Sequence, residues 1–231
     1  MDQAYRIGGT CLYEDLPYLI CEEFDAICEE FDQEREDLVA QIIKKVRGKN
    51  GISGDGLQKL LFPKVRGSQI FLSHAFKDKD KALYIRECIE TEQPQCRVFI
   101  DSLYWQSVYE AQEELKKLGA SNAAKNLYPM LCVALAQMIQ TCRYFIFIET
   151  KHSLGVVQDL QDDLNNLHTQ SSWIYYELQI ARLFLKQKQP QIQASLERLN
   201  ESAEIPFYYN VTSILKAMKL ISLDSLVRQL K

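Results

Sequence analysis

Basic residues are too few and too scattered for a nucleic-acid binder. Lys and Arg number 27 against 31 Asp and Glu, and neither a basic arm nor a Lys/Arg stripe occurs. Duplex nucleic acid is gripped mainly through its phosphates, so it is not an expected partner. Long hydrophobic runs are also missing. The longest, residues 129–139, is broken by Gln137 and is shorter than a bilayer crossing needs, so no membrane is expected. The opening Met1-Asp2-Gln3-Ala4-Tyr5-Arg6 has no apolar core of a secretory leader. The seven cysteines form no CxxC pair and no Cys/His cluster. That pattern argues against a disulfide frame or a bound metal, and for reduced, mostly buried thiols of a cytoplasmic protein. The turn-rich Gly48-Lys49-Asn50-Gly51-Ile52-Ser53-Gly54-Asp55-Gly56 has neither the GK[ST] of a phosphate loop nor the terminal Glu of a calcium loop. There is no internal repeat and no low-complexity tract.

What is present is an ordinary globular balance, 47% hydrophobic and 25% charged over 231 residues. It suits one large domain, or one domain with an appendage. Residues 1–66 read as an N-terminal helical appendage. Leu19, Ile20, Phe24, Ile27, Phe31, Leu38, Ile42 and Ile43 recur at helical intervals over residues 15–46, with an acidic face between them. A short helix over 57–62 closes at Pro63.

The period changes at Ser68. Residues 69–74, 97–101 and 143–149 read as buried strands, the third rich in β-branched and aromatic side chains. Residues 205–209 read as a fourth strand and 219–222 as a fifth. Helices are expected over 81–90, 106–118, 123–141, 172–186, 191–199 and 223–230, with a long polar loop over 151–170. Asp78 or Asp80 is the expected cap of the helix over 81–90. Strands alternating with helices predict a parallel sheet of about five strands with helices on both faces. Ligands bind such sheets beyond the carboxyl ends of the strands. The segments there carry Ser73, His74, Phe76, Asp78, Asp101, Tyr104, Trp105, Trp173 and Glu177. An aromatic-rich pocket with one or two carboxylates suits a nucleotide or nicotinamide-like ligand.

Glu177 follows a helix start at Ser171 or Ser172 and lies one turn after Trp173, at i, i+4. The plain reading of that pair is an amphipathic helix with Trp173 in the core and Glu177 in solvent. His74 reads equally well as a substrate contact or a satisfied histidine, and His152 and His168 as loop residues. The Asp159, Asp162, Asp163 group reads as a solvated loop.

These segments, in order, resemble a known family. Ile70-Phe71-Leu72-Ser73-His74-Ala75-Phe76-Lys77-Asp78 resembles the first strand and loop of Toll/interleukin-1 receptor (TIR) domains. Val98-Phe99-Ile100-Asp101 resembles their second strand, Ser172-Trp173-Ile174-Tyr175-Tyr176-Glu177-Leu178 their S-x-W-x-x-x-E-L helix, and Ile205-Pro206-Phe207 their fourth strand. The resemblance covers residues 67–231. It departs in a long stretch between the second and third strands and a long acidic loop after the third. Asp101-Ser102-Leu103-Tyr104-Trp105 is similar to the corresponding loop of bacterial TIR proteins in antiviral systems such as Thoeris. The resemblance implies a flavodoxin-like TIR fold and an enzyme that cleaves the nicotinamide–ribose bond of NAD+, giving nicotinamide and ADP-ribose or a cyclic ADP-ribose signal. NAD+ would be substrate, with no cofactor. Glu177 would be catalytic. Ser73, His74, Phe76, Asp101, Tyr104, Trp105 and Trp173 would line the substrate site. It further implies self-association through TIR surfaces and an effector that reads the nucleotide signal in antiphage defence. Two other readings stay open: a non-catalytic TIR module signalling through TIR–TIR contacts, and an unrelated flavodoxin-like nucleotide-binding domain.

Overall fold

Side chains alternate in kind along Ile70-Phe71-Leu72, Val98-Phe99-Ile100 and Tyr144-Phe145-Ile146-Phe147-Ile148. Successive strand residues point to opposite faces, so this alternation builds a sheet with one mainly aliphatic and one aromatic face. A computed structural model describes residues 1, 3–8, 38–49, 51–105, 108–156, 166–185 and 208–230. The chain starts with β1 (Gln3–Gly8). A helix α1 (38–46) leads into the hairpin β2 (Arg47–Gly48) and β3 (Gly51–Ile52), then α2 (Gly54–Leu61). Next come β4 (Ser68–Ser73), a 3-10 turn (Phe76–Asp78), α3 (Lys79–Glu92) and β5 (Arg97–Phe99). After α4 (Asp101–Tyr104), α5 (Val108–Lys117) and α6 (Ala123–Thr141) comes β6 (Tyr144–Glu149). The remainder is β7 (Gly155–Val156), β8 (Leu167–Thr169), α7 (Ser172–Phe184), β9 (Tyr209–Asn210), α8 (Thr212–Ala217), β10 (Lys219–Leu220) and α9 (Leu223–Gln229).

The central sheet has five strands in the order β10-β1-β6-β4-β5, and every pairing is parallel. Numbered in chain order and read from β5, the sheet runs 3-2-4-1-5: β5-β4-β6 keep the 2-1-3 half of the flavodoxin-like order 2-1-3-4-5, and the N-terminal β1 takes the fourth place. The aliphatic face, with Ile7, Ile70, Leu72, Val98, Ile146 and Ile148, packs on Ala82, Ile85 and Ile89 of α3 and Leu226 of α9. The aromatic face packs Phe71, Phe99, Phe145 and Phe147 against residues of α1, α2, α5, α6, α7 and α8. Phe71 and Phe145 stack with centroids 5.6 Å apart, 7° from parallel.

Two expectations are corrected. Residues 3–8 are not part of a helical segment set apart from the sheet: β1 lies inside it, paired with β6 through six residues and with β10 on its other side. Its Tyr5 and Ile7 are fully enclosed, and Arg6 is neutralised by Glu149, Nη1 to Oε2 at 2.8 Å. Val39, Ile43, Leu57 and Leu61 likewise belong to the aromatic-face core. The expected fourth strand is the second correction. Residues 205–207 lie outside the described residues, and Tyr209 pairs with Thr169 in a separate antiparallel sheet β7-β8-β9. The fourth place in the parallel sheet belongs to β1. The expected helix over 191–199 and the Asp159, Asp162, Asp163 group also lie outside the described residues.

Candidate functional site

Helix α7 explains how a carboxylate comes to be enclosed. Ser171 caps it, its Oγ accepting from the Ile174 amide at 3.2 Å. Ile174, Glu177, Leu178 and Ala181 are its buried residues. Their spacing of 0, 3, 4 and 7 is a single helical stripe, the one that packs on the core. Three members are apolar and the fourth is Glu177, only 5% exposed. The plain alternative for this helix, with Glu177 in solvent, therefore does not hold. On the sheet, Ser73 follows Phe71 by two residues and shares its face, the face α7 covers. The result is a hydrogen bond between distant segments: Ser73 Oγ donates to Glu177 Oε2 at 2.6 Å.

Burial is the main reason the Glu177 carboxyl sits well above its usual range. The negative Asp101 adds to it, and the Ser73 hydrogen bond opposes it without prevailing. Asp101 opens α4, and its Oδ1 accepts the Ser102 amide at 2.8 Å, which fixes the loop after β5. The same aspartate acts on His74. Burial pushes His74 below its usual value, against the upward pull of Asp101, Asp78 and a hydrogen bond to the Leu72 backbone; Lys79 pushes with burial. His74 Nε2 is buried and has no hydrogen-bond partner. At the carboxyl ends of β4 and β5, Asp101 thus lies within electrostatic reach of both His74 and Glu177, and Glu177 is held by Ser73.

Beside this group is a second polar cluster that locks two strand-end loops together. Asp78 is 1% exposed. Its Oδ1 accepts Lys81 Nζ at 2.7 Å and lies 3.1 Å from His152 Nδ1; its Oδ2 accepts the Thr150 hydroxyl. Burial alone raises the Asp78 carboxyl, but the bonds from Lys81, Thr150 and His152 outweigh it and hold it below its usual range. The sequence suggested a helix cap here. Asp78 does precede α3, yet its side chain makes no cap hydrogen bond. It joins the loop after β4 to the one after β6. No local pattern announces a pairing between residues more than seventy apart in the chain. The only available hint was the position of Thr150 and His152 just past the strongest strand.

The aromatic residues divide. Trp105 is 4% exposed, its Nε1 donates to the Pro63 carbonyl at 2.9 Å, and its ring packs edge-on against Phe62 and Phe99. It is a core residue, not a stacking surface. Tyr104 is half-buried, stacked on Phe99 at 5.4 Å, with the Arg86 guanidinium 5.9 Å from its ring centre. Phe76 is 83% exposed on the turn after β4. Trp173 is half-buried against Tyr128 of α6, at 5.8 Å, and does not share the buried stripe of Glu177. His168, expected in a loop, is buried in β8.

No family model, curated protein or solved structure matches the chain. Among the described residues no group of His, Cys, Asp and Glu is placed to hold a metal ion, and no helix is long and apolar enough to cross a membrane. Burial raises the described thiols Cys88, Cys96 and Cys132, and takes Cys142 up to about 12, so none is set up as a thiolate nucleophile.

Chemically, the site sets an enclosed carboxyl, held above its usual range by burial and by Asp101, against the Ser73 hydroxyl, with the unpartnered Nε2 of His74 near the same aspartate. Enclosing an ionisable acid in a core costs stability, and such perturbed groups gather at functional sites.

Proposed function

We propose that this chain is a TIR-like enzyme that cleaves the nicotinamide–ribose bond of NAD+, with Glu177 as its catalytic carboxylate. The observation that carries this reading is the burial of Glu177 beside Ser73 and Asp101 at the carboxyl rim of a parallel sheet. The TIR-like motifs of the sequence that carry Ser73, Asp101 and Glu177 support it.

The chemistry follows from charge. The nicotinamide ring of NAD+ is cationic, and a positive charge within about 4–6 Å favours an ionised carboxylate. Arrival of substrate reverses the conditions that keep Glu177 neutral, and its proton leaves. As the glycosidic bond breaks, positive charge moves from the ring to the ribose. Nicotinamide departs as a neutral amine and needs no proton, while the carboxylate steadies the oxocarbenium-like sugar. The Ser73 hydroxyl holds that carboxylate in one orientation. The products are nicotinamide and ADP-ribose or its cyclic form, the latter a signal for an effector in antiphage defence.

A search by mass spectrometry for nucleotide products of the purified protein incubated with NAD+, dilute and self-assembled, tests the proposal. Nicotinamide and an ADP-ribose species are expected. The exposed Phe76 and Leu183, at 83% and 75%, favour a second reading, a TIR-like module that signals only through contacts between copies. That module would assemble and leave NAD+ intact.

A further inference from the structure

His74 adds a role that the Glu177 chemistry leaves unfilled. Hydrolysis of the nicotinamide–ribose bond consumes water and releases one proton. Glu177 steadies the sugar cation, and doing so requires it to stay ionised. Something else must take the proton from the water that attacks.

Among the described residues, His74 is placed to do so. His74 follows directly on Ser73, whose hydroxyl holds Glu177. Asp101 lies within electrostatic reach of both His74 and Glu177. One ring nitrogen of His74 bonds the Leu72 backbone, and Nε2 is buried without a partner. A carbonyl only accepts, so the bond to Leu72 assigns the ring proton to Nδ1. In the neutral ring Nε2 then carries a lone pair. Orphaned buried polar atoms are rare in native proteins and call for an explanation. A lone pair aimed at a reacting water supplies one. The charged groups facing the ring are Asp101 from α4, Asp78 from the 3-10 turn and Lys79 from α3. Two of the three are negative, and they favour the imidazolium that forms once a proton is taken.

We infer that His74 is the general base of the hydrolytic step, accepting at Nε2 the proton of the attacking water. This rests on the NAD+-cleaving reading above. In the step the water oxygen bonds the ribose anomeric carbon as the bond to nicotinamide breaks. The pair of electrons in that bond neutralises the pyridinium nitrogen, and the water proton passes to His74 and then to solvent.

The inference separates two reactions of one sugar cation. Water must lose a proton to attack. A pyridine nitrogen carries none, so exchange of free nicotinamide into NAD+ needs no base. The test incubates the full-length protein with NAD+ and deuterium-labelled nicotinamide, and follows both ADP-ribose and labelled NAD+ by mass spectrometry. For His74→Gln, hydrolysis should fall by about 10²-fold, the low end of general-base effects, and label exchange should persist. Equal loss of both reactions, or no loss of either, overturns the assignment. Wild-type protein needs no variant for the second arm. As pH falls below the ordinary histidine range, hydrolysis should decline while exchange holds level; parallel decline or two flat profiles overturn the base. If wild type catalyses neither reaction, the reading of the site itself fails, and His74 with it.

Discussion

Replacing Glu177 with glutamine should make the protein more stable, and increasingly so as pH rises. Glutamine keeps the shape of the side chain and an oxygen that accepts from Ser73, while removing the only ionisable group on the buried stripe of α7. Burial and Asp101 hold the folded carboxyl well above its usual range. The folded state therefore binds a proton that the unfolded chain has given up. Below the unfolded value, about 4.3, both states are protonated and the variant should lie close to wild type. Between that value and the raised folded one, wild-type stability falls with pH at up to about 1.4 kcal/mol per unit, because one more proton is bound in the folded state. Glutamine feels none of this. For a chain of this length the gap in melting temperature should widen by roughly 3–5 °C per pH unit. Thermal melts followed by circular dichroism from pH 4.5 to 8 give the comparison, and subtracting the two curves cancels every other titration. A gap that stays flat, or closes with rising pH, would refute the buried neutral carboxyl.

Three further outcomes follow from the same geometry. Ile7→Ala removes a fully buried side chain from an interior strand and should cost about 3 kcal/mol in denaturant unfolding; a loss under about 1 kcal/mol would mean β1 is no core strand. Asp78→Asn should cost about 3 kcal/mol at pH 7, since it breaks an enclosed ion pair. The folded Asp78 carboxyl lies below its usual range, so its contribution is present above the unfolded value and lost as pH falls through the folded one; acid titration should bring the variant and wild type together, and a constant gap would contradict the clamp. Trp173→Phe leaves Trp105 as the single indole, enclosed and bonded to Pro63. Its fluorescence should be blue-shifted and resistant to acrylamide, whereas red-shifted, readily quenched emission would put Trp105 at the surface.

The elements legible in the sequence are those whose burial is written locally. The runs ending at Ser73, Phe99 and Glu149 are continuous and apolar, and parallel strands buried on both faces read that way. Helix α6 came out at its observed bounds, Ala123–Thr141. β1 escaped because Gln3 and Arg6 interrupt its apolar residues, and the partner that makes Arg6 tolerable, Glu149, is 143 residues away. Tyr5 and Ile7 on one side were the available signal. The site was legible as a neighbourhood, because the carboxyl ends of parallel strands can be located before any contact is known. Orientation was not. Trp105 and Phe76 both fall in that neighbourhood, yet one turns into the core and the other into solvent. Glu177 was paired with Trp173 at i, i+4, while the stripe that matters runs through Ile174, Leu178 and Ala181. Nothing in α7 alone reveals that Ser73 waits opposite.

The most direct test compares NAD+ turnover by wild type and Glu177→Gln, at pH 7 and at concentrations that allow self-association. Wild type should release nicotinamide and the variant at least about 10²-fold less, the scale of a lost transition-state charge contact, with its melting temperature raised. Equal turnover by the two proteins, or no turnover by an assembled wild type, would contradict the account.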